Sequence, residues 1–295
     1  MGDKDSAGAA GHVVRHQDAE AVRLAADEGL MGAMEERLRL AFLEPGAAEG
    51  PWNMALDEAL LNEAAAGRAR PSLRFYSWRP PAITFGYSQD AAAEIDLDAC
   101  RAAGVPALRR ITGGGAVFHQ AELTYCVVVP ASAFPGPISA SYEIICGALA
   151  AGLDFFRNGF KFSPVNDIIF GDKKVSGSAQ VRRGGMIMQH GTALLDTDLN
   201  KMFGLLRVPE EKYKKHGLSE ARRRVCSLKE ILCYAPTFEE TAEAVKLGFQ
   251  TVFDLGDPEP PSNETLAAAA ALVPKYSSDD WNLRRSRKPD CGDEE

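Results

Sequence analysis

Arg109-Arg110-Ile111-Thr112-Gly113-Gly114-Gly115-Ala116-Val117-Phe118-His119 puts two guanidinium groups, a hydroxyl, three consecutive glycines and an imidazole into one short stretch. Glycine loses the most backbone entropy on ordering, so such a run is poor helix and poor strand. It does let backbone N–H groups approach a ligand with no Cβ in the way. The flanking arginines make that ligand an anion, a carboxylate or a phosphate. A second group runs from Asn166-Asp167 through Lys174, Gly177 and Ala179 to Gln180, with Gln189-His190-Gly191 further on. Lys174, followed by Val175 and the small residues Ser176 to Ala179, can reach into a cleft. There its ammonium would neutralise charge building on a carboxylate, an acyl phosphate or a leaving oxygen. Asp167 can hold Mg²⁺ near phosphates, or pair with Lys173 or Arg182. His119 and His190 are open between a general-base pair and structural roles. The plainer alternatives are a tight turn beside a surface arginine pair, and solvated turn lysines at Lys173 and Lys174.

These groups need a scaffold, and 295 residues suffice for one large domain with or without a small appendage. A formal net charge of −8 argues against a general nucleic-acid binder. No apolar run is long enough to span a membrane, and the first residues lack the order of a signal peptide. Six cysteines without a C-x-x-C pair fit a cytoplasmic protein with reduced thiols. Residues 1–33, rich in Ala, Gly, Asp and His, read as a disordered extension, with Met34 as an alternative start. The body spans 34–282, its last part from 235 being helical, and 283–295 form a charged tail.

The periodicity predicts a first strand near Glu35–Leu43, a turn region at Pro45/Gly46/Gly50/Pro51, and a helix capped by Asn53. Strands follow at Leu73–Trp78 and Ala82–Tyr87, then a short helix at Asp96–Ala103. A strand at Pro106–Arg110 enters the glycine loop and another, Leu123–Val129, comes after it. Ser139–Phe156 reads as a long helix, with Cys126 and Cys146 as core residues. Two runs across Gly171-Asp172 predict a β-hairpin that sets Lys174 opposite Ile168 or Ile169. Met186–Leu195 continues as a strand, and Phe238–Phe253 is an amphipathic helix. Hairpins grouped together, with helices between and after, predict an α+β fold: a mixed, mostly antiparallel sheet layered with helices. Neither G-x-G-x-x-G nor G-x-x-x-x-G-K-[ST] accounts for the glycines.

Taken in order, Arg109–His119, Asn166-Asp167, Gly171-x-x-Lys174-x-x-Gly177-x-Ala179 and Gln189-His190-Gly191 resemble the lipoate–protein ligase and octanoyltransferase family, which shares its catalytic fold with biotin–protein ligases. Asn53–Glu58, Gly86–Gln89 and Lys275–Asn282 extend the match over residues 37–282. The resemblance implies that Thr112, Gly113, Gly114, Gly115, Ala116 and His119 lie along an acyl group, with Gly177, Ala179, His190 and Gly191 opposite and Arg110 facing a phosphate. It implies Lys174 as the catalytic residue, with Asn166 and Asp167 beside nucleotide and Mg²⁺. Relatives of the ligase kind join lipoate or octanoate to ATP as an acyl-adenylate. They then acylate a lysine on a lipoyl domain of a 2-oxoacid dehydrogenase or on a glycine-cleavage protein, some with an accessory subunit. Relatives of the transferase kind take octanoyl from acyl carrier protein through a cysteine. The stretches that match the positions of that cysteine, Phe160–Val165 and Leu206–Pro209, contain none. On that ground the sequence favours the ATP-dependent ligase over the octanoyltransferase, with a non-catalytic acyl-binding relative as a third reading.

Overall fold

The computed structural model describes residues 37–207 and 222–284. The expectations for residues 1–33 and for the tail beyond Arg284 lie outside the described residues. The contacts divide the chain into units 1–37 and 38–295, and every element below belongs to the second.

Strand β1 (Arg39–Ala48) leads into helix α1 (Gly50–Ala65), then β2 (Ser72–Trp78) and β3 (Ala82–Phe85). Short helices α2 (Ala91–Glu94) and α3 (Leu97–Ala102) precede β4 (Ala107–Arg109), and β5 (Val117–His119) and β6 (Glu122–Pro130) follow the glycine loop. Helix α4 (Ile138–Leu153) is followed by β7 (Phe160–Ser163), β8 (Asp167–Phe170), β9 (Lys173–Arg183) and β10 (Met186–Leu194). The described chain then forms α5 (Leu199–Leu205), α6 (Leu228–Leu232), α7 (Phe238–Gln250), β11 (Asp254–Glu259), α8 (Asn263–Tyr276) and α9 (Asp279–Asn282).

The large sheet has the order β11-β1-β2-β6-β10-β9-β8-β7, and a small one has the order β4-β3-β5. Strands β11, β1 and β2 run parallel, while every pairing from β2 across to β7 is antiparallel. The mixed, mostly antiparallel α+β arrangement expected from the sequence is the one observed.

Both faces of the large sheet are covered, which explains why β6 is almost continuously apolar. Leu123, Tyr125, Val127 and Val129 alternate onto the face packed by Ile145 and Leu149 of α4 and Val245 and Phe249 of α7. Cys126 and Val128 alternate onto the other face, against Met54, Ala55 and Leu60 of α1 and Ala269 of α8. A third core joins the small sheet (Ile83, Phe85, Phe118) to Leu199, Met202 and Leu205 of α5.

Three local expectations need correction. β1 runs through Pro45-Gly46, absorbing the expected turn as a register shift between Leu43 and Gly46. Helix α1 starts at Gly50 with Pro51 in its first turn, where a missing N–H costs nothing. Asn53 is therefore no cap; it is buried inside the helix and donates to the Ala48 and Ser77 carbonyls (3.2 and 3.1 Å). The stretch from 235 is not wholly helical, because Asp254–Glu259 adds a parallel edge strand to β1. That strand carries no apolar alternation and a proline, a composition only an edge position tolerates.

Helix α1 is buried over nearly its whole length, including Asn53, Asp57 and Glu58. Buried polar groups persist only where they are satisfied, so α1 points to a polar interior nearby.

Candidate active site

The Gly171-Asp172 hairpin forms as expected, with Phe170 opposite Lys173 and Ile169 opposite Lys174, followed by a register shift between Ile169 and Ile168. Asp167 lies opposite Gly177, and its carboxylate pairs with Lys174 (Nζ to Oδ1 2.7 Å) rather than with Lys173 or Arg182. Lys174 keeps 41 % and Asp167 31 % of its side-chain surface exposed, so this ion pair stands at an open mouth. The lysine's backbone is fixed on its far side: its N–H donates to the Arg224 carbonyl (2.7 Å) and its carbonyl accepts from Cys226 (2.9 Å). Gly177 gives the side chain room. A Cβ there would lie 2.7 Å from Lys174 Nζ and 2.8 Å from its Cε, so any larger residue would push the ammonium aside. Asn166 closes the turn, accepting from the Ser178 N–H (2.9 Å) and donating to the Ser178 carbonyl.

Behind this pair lies a cavity of about 110 Å³. Its walls include Gly114, Gly115, Ala116 and Val117 on one side and Gly177, Ser178, Ala179, His190 and Gly191 on the other. Met54, Tyr76, Trp78, Thr84 and His119 also line it. The two sequence clusters thus form facing walls. Gly191 lets its own wall pack tightly, since a Cβ there would meet Ser178 Oγ at 2.5 Å and Tyr125 Cε1 at 2.7 Å.

Arg110 is wholly buried and braces the glycine loop from beneath instead of facing outward. Its Nη2 donates to the carbonyls of Gly113 (2.7 Å) and Gly115 (3.0 Å). Its Nη1 donates to Thr84 Oγ1 (2.8 Å) and its Nε to Thr112 Oγ1 (3.3 Å). Each threonine meets a histidine Nε2 at 2.7 Å, Thr84 with His119 and Thr112 with His190. Each histidine then meets a carboxylate through Nδ1, His119 with Glu122 (2.6 Å) and His190 with Asp57 (3.0 Å). A hydroxyl that accepts from a guanidinium has its own proton to give, so both histidines take Nδ1–H tautomers pointing at the acids. Two parallel relays of arginine, threonine, histidine and carboxylate therefore hold the loop.

Asp57 also accepts from Tyr76 Oη (2.8 Å) and pairs with Arg74 (Nη1 to Oδ1 3.2 Å), both groups being almost fully buried. Burial alone would raise the Asp57 pKa, but the Arg74 charge and the bonds from His190 and Tyr76 outweigh it and hold the group ionised. Burial lowers the His190 pKa despite Asp57 beside it, so the ring stays neutral. Burial also lowers the Arg110 pKa, to about 10. At neutral pH, Arg74 and Arg110 thus balance the buried acids.

Arg109 serves the scaffold alone. It donates to the carbonyls of Tyr87 (3.0 Å), Gln89 (2.5 Å), Trp281 (3.0 Å) and Asn282 (3.1 Å), while Trp281 Nε1 donates back to the Arg109 carbonyl (2.9 Å). The Lys275–Asn282 motif is therefore a clamp on the strand entering the loop. The three glycines also differ. Gly114 adopts φ +91°, whereas Gly113 and Gly115 have open space where a Cβ would go.

Sequence reasoning did not single out Asp57 and Glu122 as the acids behind the histidines, nor Thr84, Trp78 and Arg74. The signal was present only for Asp57, a carboxylate inside an apolar helix pattern. Trp78 stacks on His119 (centroids 4.0 Å apart) and donates to Thr124 Oγ1 (2.9 Å), giving the deep end an aromatic wall. The donor set does not fit a Mg²⁺ ion: Asp167 is already paired, and among the described residues no group of three or more His, Cys, Asp or Glu could hold a metal.

Residues 49–250 match the family model described as the lipoyl protein ligase A/B catalytic domain. The octanoyltransferase LipM of Symbiobacterium thermophilum is 36 % identical, over 85 % of this chain and 100 % of that protein. The octanoyltransferase LipM of Bacillus subtilis is 32 % identical, over 83 % of this chain and 98 % of that protein. A bipartite lipoate protein ligase from Thermoplasma acidophilum, solved in work that includes its E2 lipoyl domain, superposes with a TM-score of 0.75. It shares 27 % identity over 86 % of this chain and 99 % of its own. A lipoate-protein ligase A bound with ATP gives a TM-score of 0.70 at 27 % identity, over 83 % of this chain and 98 % of its own. The higher identity lies with the octanoyltransferases, and this overturns the expectation of an ATP-dependent ligase working through an acyl-adenylate. Missing cysteines at two loop positions do not decide the activity, and the whole-length similarity outweighs them.

Proposed function

We propose, on the premise that this chain belongs to the lipoyl protein ligase A/B catalytic-domain family, that it is an octanoyltransferase of protein lipoylation. The donor is an octanoyl thioester on acyl carrier protein. The acceptor is the ε-amine of a lysine on a lipoyl domain of a 2-oxoacid dehydrogenase or on the glycine-cleavage carrier protein.

One observation carries this reading: the Lys174 ammonium stands at the open end of a narrow cavity with glycine-loop backbone on one wall and aromatic rings at its far end. An alkyl chain seated against Met54, Ala116, Val117 and Trp78 gains about 0.8 kcal/mol for each methylene removed from water. With the tail at the buried end, the carbonyl comes to Lys174. A thioester carbonyl gains negative charge on oxygen when an amine attacks it. A fixed ammonium stabilises that charge more than it stabilises the ground-state carbonyl, which is what lowers a barrier. Asp167 aims the ammonium, and Gly177 leaves it room.

The test offers octanoyl-carrier protein and apo lipoyl domain to the purified enzyme without nucleotide. Octanoyl-amide on the lipoyl domain is the expected product; no product without ATP would refute the proposal.

A further inference from the structure

The formal charge of −8 is not spread evenly along the chain. Residues 157–183, which carry β7, β8 and β9, hold six lysines and arginines against two acids, and residues 222–229 hold four against none. Residues 238–264, which carry α7 and β11, hold seven acids against one lysine. The sheet order puts β11 at one edge and β7 at the other, so Lys174 stands on the basic side of the sheet.

Strand register brings that basic side up to the mouth. Lys161 of β7 lies opposite Ile169 of β8, and Ile169 lies opposite Lys174 of β9. Directly opposed residues of antiparallel strands point the same way, so these three share one face. On the other flank of Lys174 the chain bridges at Val225, with the Arg224 carbonyl accepting from the Lys174 N–H (2.7 Å), and this sets Arg222, Arg223 and Arg224 beside the lysine. Lys174, Arg222 and Lys229 are paired with Asp167, Glu230 and Asp196. Lys161, Lys173 and Arg223 are exposed, and among the described residues none of them has a carboxylate within ion-pair distance. Val165, in the turn between β7 and β8, is 69 % exposed, and Ile169 is half-buried. A ledge of cations with two apolar side chains thus borders the mouth.

Resting on the octanoyltransferase reading, we infer that this ledge seats the acceptor lipoyl domain by an acidic face and so delivers its target lysine to Lys174. A lysine side chain is short, so the folded domain that carries it has to lie directly against the rim. That approach brings an ammonium toward several other cations, which repel it unless carboxylates on the domain offset them. The same carboxylates draw the domain toward the basic edge, while the acidic edge turns it away from the far side of the enzyme. Val165 and Ile169 add apolar contact within the patch.

The test compares the full-length protein with the double variant Lys161→Glu, Arg223→Glu, changed at two exposed positions outside the cavity. The probe is the apo lipoyl domain of a 2-oxoacid dehydrogenase. Its KM is expected to rise roughly tenfold or more, with kcat and the KM for octanoyl-carrier protein within about twofold and the urea midpoint unchanged. For the wild type, kcat/KM for the lipoyl domain should fall steeply as salt is raised, and the variant should lose most of that slope. Titration of the lipoyl domain into enzyme without donor should show the same loss of affinity. An unchanged lipoyl-domain KM and salt slope would overturn the docking face while leaving the transferase intact. A rise in the donor KM alone would overturn it too, by giving the ledge to the acyl carrier. Absence of any carrier-dependent transfer by the wild type would instead refute the function on which it rests.

Discussion

The mouth and the floor of the cavity are built on opposite rules. At the mouth, Lys174 and Asp167 form one ion pair, partly exposed, with room reserved by a glycine. At the floor, Arg110, Thr84, Thr112, His119, His190, Glu122 and Asp57 are buried and joined through the two relays. The difference separates two tasks. A group that must meet charge as it develops needs to be free enough to face the substrate. A loop that must present its backbone to that substrate has to be held still from behind. The sharpest break comes from the floor. Arg74→Ala leaves Asp57 charged and buried with its nearest cation gone, and should cost about 3–5 kcal/mol of stability, read as a lowered urea midpoint. A variant as stable as the wild type would show that the floor is not an electrostatic scaffold.

Removing the mouth's charge should do the reverse. Lys174→Ala is expected to leave the urea midpoint almost unchanged and to lower turnover by roughly a hundredfold or more, about 3 kcal/mol in the barrier. Equal damage to stability would merge the two regions. Within the glycine loop the same division narrows to neighbouring residues. Gly114→Ala forces a side chain into the left-handed region and should cost about 1–2 kcal/mol of stability. Gly115→Ala has space for its methyl and should fold normally, while raising the donor KM because Gly115 lines the cavity and its methyl would stand where the acyl group passes.

The sequence made the mouth far more legible than the floor. Lys174, Asp167 and Gly177 sit on one hairpin, so short-range spacing was enough to bring them together. Much of the floor is assembled across long separations: Asp57 meets His190 across 133 residues, and Thr112 meets His190 across 78. No periodicity within one element encodes such pairs. Local rules also missed the structural role of Arg110, which lines the cavity. An arginine beside glycines reads as an anion ligand, yet here its donors are used on Gly113, Gly115 and two threonines. Asn53 misled for a similar reason, since a residue suited to capping is also suited to satisfying stray carbonyls inside a core. The sheet was readable because β6 is almost continuously apolar and β9–β10 flank turn residues; β11 was not, because its edge position demands nothing of its side chains.

The smallest expected effect isolates one link of the floor. His190 is buried and neutral, with a pKa depressed below its ordinary value of 6.5. As pH falls below 6.5, the unfolded chain takes up a proton at this position before the folded protein does. The unfolded state then binds more protons, so stability declines as pH drops and is fully present only above the unfolded value. The slope cannot exceed about 1.4 kcal/mol per pH unit for one proton, and over the first unit it is smaller. Asp57 acts in the same direction but in a more acidic window, its folded pKa lying below 3.8. Its contribution is lost only as pH falls through that range. His190→Gln can still accept from Thr112 and donate to Asp57 while having no proton to gain. It should therefore flatten the urea midpoint between pH 6.5 and 5 and leave the steeper acid limb in place. An unchanged slope in that interval would mean that His190 does not titrate with folding, and that the relay through Thr112 is not held by a neutral ring.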